Sequence, residues 1–420
     1  MKLNFHIPEG MQDILYESCD LKRSIENGLR ELFRSYAYKE IETPALEFFE
    51  VFSTKEKAFP QEGMFKFFDE KGRVLVLKPD QTIPVARVAS SKLTKAEEVS
   101  KVSYITNTYR FGDIGAGRQR EYTHAGCELI NASGSNADAE MITLAVNSML
   151  SCGIDDFQID IGQVGFFKGI MEESGLGESE TEIVRELIDK KDYLGLEEIL
   201  NSFDIKQELK TQIIDLPSYF GDIDLVCDLK KRTSNEKALE ALDNIEQTYG
   251  ILKDFGLDKY ISVDLGMVQS INYYTGLIFK GYTYGVGFPI LNGGRYDTLL
   301  DNFGTDMPAV GFSIIVNLLI MAVTRQGRQT EAITADTFVS FDRESAGDAY
   351  KIATALRKQG LMVEFDLFPG DMKRAEDYSQ KRGIPGLVYV CSDGSIKILN
   401  NLNKEIDTTT FEELTGGGRT

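Results

Sequence analysis

The sequence predicts an α+β fold: an antiparallel sheet flanked by helices, with a helical insertion and a C-terminal α/β domain. Three observations predict it. Paired strand-like alternation fills much of the first 130 or so residues, charged helical periodicity replaces it from about 165 to 256, and strand and helix patterns take turns from 337 onward. Between Asp20 and Tyr36, apolar residues recur as Leu21, Ile25, Leu29, Leu32 and Phe33, the spacing of one buried helix face. YKEIETPALEFFEVF (38–52) alternates into Pro44, which marks a strand end or an edge because proline cannot donate to a ladder. FKFFDEKGRVLVLKP (65–79) reads as two strands joined by a turn at Glu70–Gly72, and Val102–Phe111 and Tyr122–Ile130 form a second pair around the loop 112–117.

The next segments change character. Ser179 with Glu182 has capping-box spacing ahead of an apolar-periodic run, which predicts a helix start there. Strand patterns return at Tyr260–Leu265 and Tyr273–Tyr282, ahead of a glycine-rich turn and an apolar stretch, Gly311–Val323. The expected organisation is a domain over 1–325 carrying the insertion at about 165–256, a polar linker at 326–336, and an α/β domain over 337–412. In that last domain TFVSF (337–341), LMVEFDL (361–367), LVYVCS and SIKILN read as strands, with helices over 344–360 and 371–383.

Composition excludes several function classes. The 420 residues are 42% hydrophobic and 27% charged, ordinary for a chain that folds in water. A formal charge of -20 gives no long-range attraction for phosphate backbones or anionic membranes, so tRNA and membranes are not expected as partners. The five cysteines are scattered and form no CxxC pair, and with only two histidines the chain offers no metal site and no histidine–cysteine nucleophile. The start, MKLNFHIPEG, lacks an apolar core segment, and a cytoplasmic location is expected. No cofactor is expected.

Four separated segments carry the candidate chemistry: LKPDQTIPVAR (77–87), TYRFGDIGAGRQREYTHAGCE (108–128), QSINYYTGLIF (269–279) and NGGRYDTLLDNFGTDMPAVGF (292–312). Asp80 and Glu128 can offer carboxylates to an ammonium or an imidazole N–H, with the Thr82 hydroxyl as a further partner; either acid alone could equally be a solvated or ion-paired carboxylate. Tyr273 and Tyr274, adjacent in a predicted strand, should point to opposite faces, one lining a cavity and one in the core. Gly293 and Gly294 permit close approach of a ligand to backbone, or a tight turn. Arg110, Arg118 and Arg120 flank the loop 112–117 and can receive a carboxylate or phosphate, or pair with surface acids.

In order and approximate spacing these segments resemble the active-site motifs of class II aminoacyl-tRNA synthetases, specifically the histidyl branch, over residues 1–325; residues 334–412 resemble that enzyme's anticodon-binding domain. The resemblance implies a class II synthetase-like fold and a histidine site built from Asp80, Gln81, Thr82, Arg110, His124, Glu128, Tyr273 and Tyr274. Arg110 lies where the family's α-phosphate-contacting arginine lies, and His124 matches a glutamine that contacts histidine. Arg118 and Arg120 remain candidates for anion contact.

Three departures from the synthetase pattern point away from catalysis. The family's ATP-holding glutamate is Gly112, its catalytic arginine is Gln269, and its γ-phosphate-clamping arginine is Leu318. Losing one transition-state donor costs about 3–4 kcal/mol, so two missing cations and a missing carboxylate would remove useful adenylation. An amino-acid pocket without that machinery resembles the ATP phosphoribosyltransferase regulatory subunits, histidyl-synthetase paralogues; GQVGFFKGIMEESGL (162–176) and the YYTGLIF…GFPILNGGRYD run share that resemblance. It implies a non-catalytic protein of the first step of histidine biosynthesis that binds L-histidine. It further implies a homodimer core in a hetero-oligomer with a short-form ATP phosphoribosyltransferase catalytic subunit, mediating that partner's activation and feedback inhibition. The alternative is an active histidyl-tRNA synthetase, which the C-terminal resemblance favours. Against that, residues 331–420 carry 15 acidic and 11 basic residues without a basic stripe.

Overall fold

The computed structural model describes residues 5–53, 59–93, 98–111, 119–268, 273–327, 334–401, 405–411 and 414. They belong to two compact units, Met1–Gln329 and Thr330–Thr420.

The first unit runs α1 (Tyr16–Ser35), β1 (Lys39–Glu40), β2 (Leu46–Phe48), α2 (Phe49–Phe52), β3 (Lys66–Phe68), β4 (Val74–Leu77), α3 (Thr82–Val88), β5 (Ser100–Tyr109), β6 (Glu121–Ile130), α4 (Ser135–Ser151) and β7 (Phe157–Gln163). Next come α5 (Val164–Ser174), α6 (Glu178–Asp189), α7 (Tyr193–Ser202), α8 (Gln207–Asp215), β8 (Phe220–Gly221), α9 (Ile223–Arg232) and α10 (Glu236–Asp254). The unit closes with β9 (Ile261–Asp264), β10 (Leu277–Thr283), β11 (Leu291–Arg295), β12 (Ala309–Ile315) and α11 (Val316–Arg325). Nine strands form one sheet in the order β1-β5-β6-β12-β11-β10-β7-β9-β8, antiparallel except where β1 meets β5 and β7 meets β9. A separate sheet, β2-β4-β3, contains the hairpin that the Glu70–Gly72 turn predicts.

Alternation divides the large sheet into two faces. Ala125, Cys127 and Leu129 of β6, Val310, Phe312 and Ile314 of β12, and Leu277 and Phe279 of β10 join α1, α4, α5 and α10 in the main core. Residues of opposite parity, among them Glu128, Gly311, Ser313 and Asn292, face the functional cavity. α4 has no counterpart in the sequence reading. Its buried residues lie all round it, from Ala137 to Met149, so it lacks the one-sided periodicity by which surface helices are recognised. The predicted capping box at Ser179 and Glu182 is corrected as well. The cap is Gly177, two residues earlier, and the helix begins at Glu178; Glu180 accepts from the Gly177 N–H at 2.9 Å, while Glu182 turns outward to bind Arg185.

The second unit consists of β13 (Thr337–Phe341), α12 (Ala346–Lys358), β14 (Val363–Phe365), α13 (Met372–Lys381), β15 (Gly386–Val390), β16 (Ile396–Asn400) and β17 (Glu405–Thr409). Its sheet order is β14-β13-β15-β16-β17, with β13 parallel to both neighbours and the last two strands antiparallel. α12 packs Ile352 and Leu356 against Val339 and Phe341, while Ala375 of α13 packs with Phe338 and Leu387 on the other face. β17 is largely exposed along its length and so carries no apolar alternation to announce it.

Candidate functional site

A cavity of about 370 Å³ opens on the face of the large sheet opposite the main core, a volume in the range of small-molecule sites. Among the residues around it are Asp80, Gln81, Thr82, Arg110, His124, Glu128, Tyr273, Tyr274 and Leu318, nine candidates drawn from five separate parts of the chain.

Glu128, on β6, lines it with 1% of its surface exposed. The Thr82 and Tyr104 hydroxyls sit on its Oε1 at 2.9 and 3.2 Å, and the Tyr296 hydroxyl sits on its Oε2 at 2.6 Å. No ion-pair partner stands beside it among the described residues. Burial pushes its carboxyl up to about 8 against the pull of the Tyr296 and Thr82 hydroxyls, and nearby Asp80 adds to the push. That shift favours the protonated carboxyl at neutral pH. A cationic or N–H-rich ligand would favour its ionised form, so ligand and proton compete for one group.

Sequence spacing sets the space that Glu128 occupies. Gly311 on the adjacent β12 is its cross-strand partner, and a Cβ there would meet Glu128 Oε2 at 1.6 Å. Only a residue without a side chain leaves room for the carboxylate.

Asp80 lies just before α3, and its Oδ1 accepts from the Ile83 N–H at 3.1 Å, the reach of a side chain over a first helical turn. Burial raises its pKa, while Arg110 and the helix N–H groups pull it back. Arg110 Nη2 is 3.8 Å from Asp80, and Arg110 Nε donates to the Pro79 carbonyl at 2.5 Å. Gln81 accepts from Thr43 Oγ1 at 3.1 Å, whereas its buried Nε2 has no protein partner among the described residues. His124 Nδ1 lies 2.6 Å from Ser313 Oγ; burial and the Arg110 charge push its imidazole down to about 3, so the ring is neutral. Leu318, near the start of α11, gives the cavity wall an apolar side chain beside Ile315.

Several readings change. Tyr273 and Tyr274 precede β10 rather than lying in it, so strand alternation does not separate them: both are buried, both line the cavity, and their rings tilt together at 4.8 Å. Gly293 and Gly294 belong to the central strand β11 and form no turn. A Cβ at Gly294 would meet the Tyr274 ring at 2.7 Å, and one at Gly293 the Phe279 ring at 2.3 Å. Arg120 is not brought to the cavity; its guanidinium lies over Phe111, and its backbone N–H donates to Gly10. Gly112, Arg118 and Gln269 lie outside the described residues.

Tyr104, Tyr296, Ser313, Asn292 and Lys280 line the cavity without having been singled out. A parity count along LIFKGYT separates Lys280 from Phe279 and would have found it. Tyr104 needed the register of β5 against β6, which no single-sequence pattern contains. Among the described residues no cluster of three metal-binding side chains occurs, and no helix is long and apolar enough to cross a membrane.

A family model described as histidyl-tRNA synthetase matches residues 10–319. A protein of Acetivibrio thermocellus named ATP phosphoribosyltransferase regulatory subunit is 49% identical over 409 residues, 97% of this chain and 98% of its own. The chain belongs to the ATP phosphoribosyltransferase regulatory subunits. A protein of the same name from Ruminiclostridium cellulolyticum is 44% identical over 97% of this chain and 98% of its own. Among solved structures, a Bacillus halodurans protein described as an ATP phosphoribosyltransferase regulatory subunit/histidyl-tRNA synthetase matches with a TM-score of 0.84 at 28% identity, over 93% of this chain and 100% of that one. A histidyl-tRNA synthetase from Nostoc matches with a TM-score of 0.81 at 23% identity over 99% of each chain, a likeness of fold. The regulatory-subunit family thus shares its class II synthetase-like architecture with enzymes, while its name denotes regulation and not catalysis.

Proposed function

We propose that this chain is a non-catalytic, cytoplasmic regulatory subunit for the first step of histidine biosynthesis. It binds L-histidine in the Glu128 cavity and assembles, through a homodimer core, with a short-form ATP phosphoribosyltransferase catalytic subunit that performs the chemistry. The observation that carries the reading is the pairing of a buried, cation-free carboxyl at Glu128 with an apolar side chain at Leu318. The first suits an amino acid's nitrogen; the second cannot neutralise a polyphosphate. Histidine would regulate by binding one assembly state better than another, a ten-fold preference being worth about 1.4 kcal/mol. Residues 1–325 would form the synthetase-like domain with its insertion at about 165–256. Residues 326–336 would link it to an anticodon-binding-like domain at 337–412, retained for assembly rather than for tRNA.

Reconstitution tests this. The purified chain should catalyse no histidine-dependent ATP–pyrophosphate exchange, should raise the activity of an added short catalytic subunit, and should make that activity sensitive to histidine. Exchange activity in the purified chain would favour the histidyl-tRNA synthetase reading instead. In calorimetry, Asp80→Ala and Glu128→Ala should each weaken histidine binding; folded variants of both with unaltered affinity would remove the pocket assignment.

A further inference from the structure

Lys280 stands on the opposite side of the cavity from Glu128, and strand register places it there. Lys280 of β10 pairs with Asn292 of β11, Asn292 with Ser313 of β12, and Ser313 with Gly126 of β6, one row across four strands on the cavity face. Glu128 lies two residues along β6 from the end of that row. Three strand spacings across the sheet and two residues along β6 separate the Lys280 and Glu128 backbones by roughly 16 Å, with both side chains lining the space between.

The Lys280 ammonium is half-buried yet makes no ion pair or hydrogen bond among the described residues. Asp189, Asp264 and Asp160 act on it only through their fields, and its cross-strand neighbour Asp160 is occupied by Ser262 at 2.5 Å. The Asn292 carboxamide beside it is also half-buried and has no side-chain partner among the described residues. Directly paired strand residues hold their Cβ atoms about 5 Å apart, so the ammonium and the amide can grip one anionic group together. Other polar groups nearby are engaged: Arg110 by Pro79 and Asp80, and Ser313 by His124. The cavity thus has a proton-holding carboxyl on one side and an unengaged cation on the other.

We propose that Lys280, assisted by Asn292, receives the carboxylate of the amino acid whose nitrogen end is held at Glu128, making the cavity selective for the free amino acid. The inference rests on the histidine-binding reading above and adds to it the residue that reads the ligand's negative end. Lys280 would supply a cation from β10 in a chain that carries Gln at position 269.

Calorimetry with L-histidine and with histamine, which lacks the carboxylate, tests it on the full chain. Lys280→Met should weaken L-histidine ten-fold or more, about 1.4 kcal/mol, and leave histamine within two-fold of its wild-type affinity. Lys280→Arg should restore most of the loss, and Asn292→Ala should show a smaller selective loss. Unchanged L-histidine binding in Lys280→Met, or equal weakening of both ligands as a purely structural role would give, overturns the proposal. A wild-type chain that binds neither ligand overturns the histidine reading and this inference with it; wild-type binding with an indifferent Lys280→Met overturns this inference alone. Should Lys280→Met fail to fold, Lys280→Gln serves the same comparison.

Discussion

Two buried carboxylates flank the same sheet and have opposite surroundings. Asp138, on α4 with none of its surface exposed, receives Arg295 Nε and Nη2 at 2.9 and 2.7 Å and Asn244 at 3.2 Å. Burial pushes its carboxyl up, and the guanidinium pulls it back. Glu128, on the other face, meets only hydroxyls. The sequence neighbours Arg295 and Tyr296 serve the two sites: Arg295 completes the Asp138 pair, and Tyr296 leaves Glu128 without a counter-charge. A closed ion pair holds elements together, whereas a carboxyl surrounded by neutral donors in a cavity keeps its charge interaction for something that arrives.

The largest expected effect breaks the closed pair. Arg295→Met leaves Asp138 buried without its cation and should cost about 3–5 kcal/mol, read as a lower urea midpoint. A shift below about 1 kcal/mol would mean that the Asp138 charge does not depend on Arg295. Glu128→Gln should do the reverse, changing stability little near pH 4.5, where the native carboxyl holds its proton, while weakening histidine by about 1.5–3 kcal/mol, the worth of a hydrogen bond to a charged group.

The pH response sharpens the contrast. The Glu128 carboxyl is raised in the folded state from 4.5 to about 8, so the native protein holds a proton that the unfolded chain has released between those values. Its contribution is fully present below about pH 4.5 and is lost as pH rises toward 8, at up to about 1.4 kcal/mol per unit. Ligand-free wild type should therefore lose stability relative to Glu128→Gln across that window in parallel thermal melts, and coincident slopes would contradict the protonated state. Tyr296→Phe removes one hydroxyl from the carboxyl and should cost about 1 kcal/mol in denaturant unfolding. The smallest effect is expected from Leu318→Arg: one restored cation should yield no pyrophosphate exchange, because positions 112 and 269 carry Gly and Gln.

Much of the fold was legible because its signals are local. The α1 stripe, the β3–β4 turn and the strand–helix alternation after 337 each need only a few neighbouring residues to be recognised. α4 escaped because burial on all sides erases periodicity, and β17 because exposure does. The site divides in the same way. Asp80, Thr82, Glu128 and Leu318 stand in recognisable spaced segments, but the hydroxyls that define Glu128 include Tyr104, which reaches it only through the pairing of two strands. The tyrosine pair was misplaced because an alternation rule was applied to residues that precede the strand.

The bare backbone of Gly311 extends this dependence on distant residues. A single methyl group there would evict the Glu128 carboxylate from its position without changing any residue proposed to touch a ligand. A backbone position in the cavity wall can thus decide where the carboxyl stands, and a chain altered only there could keep its family resemblance almost intact.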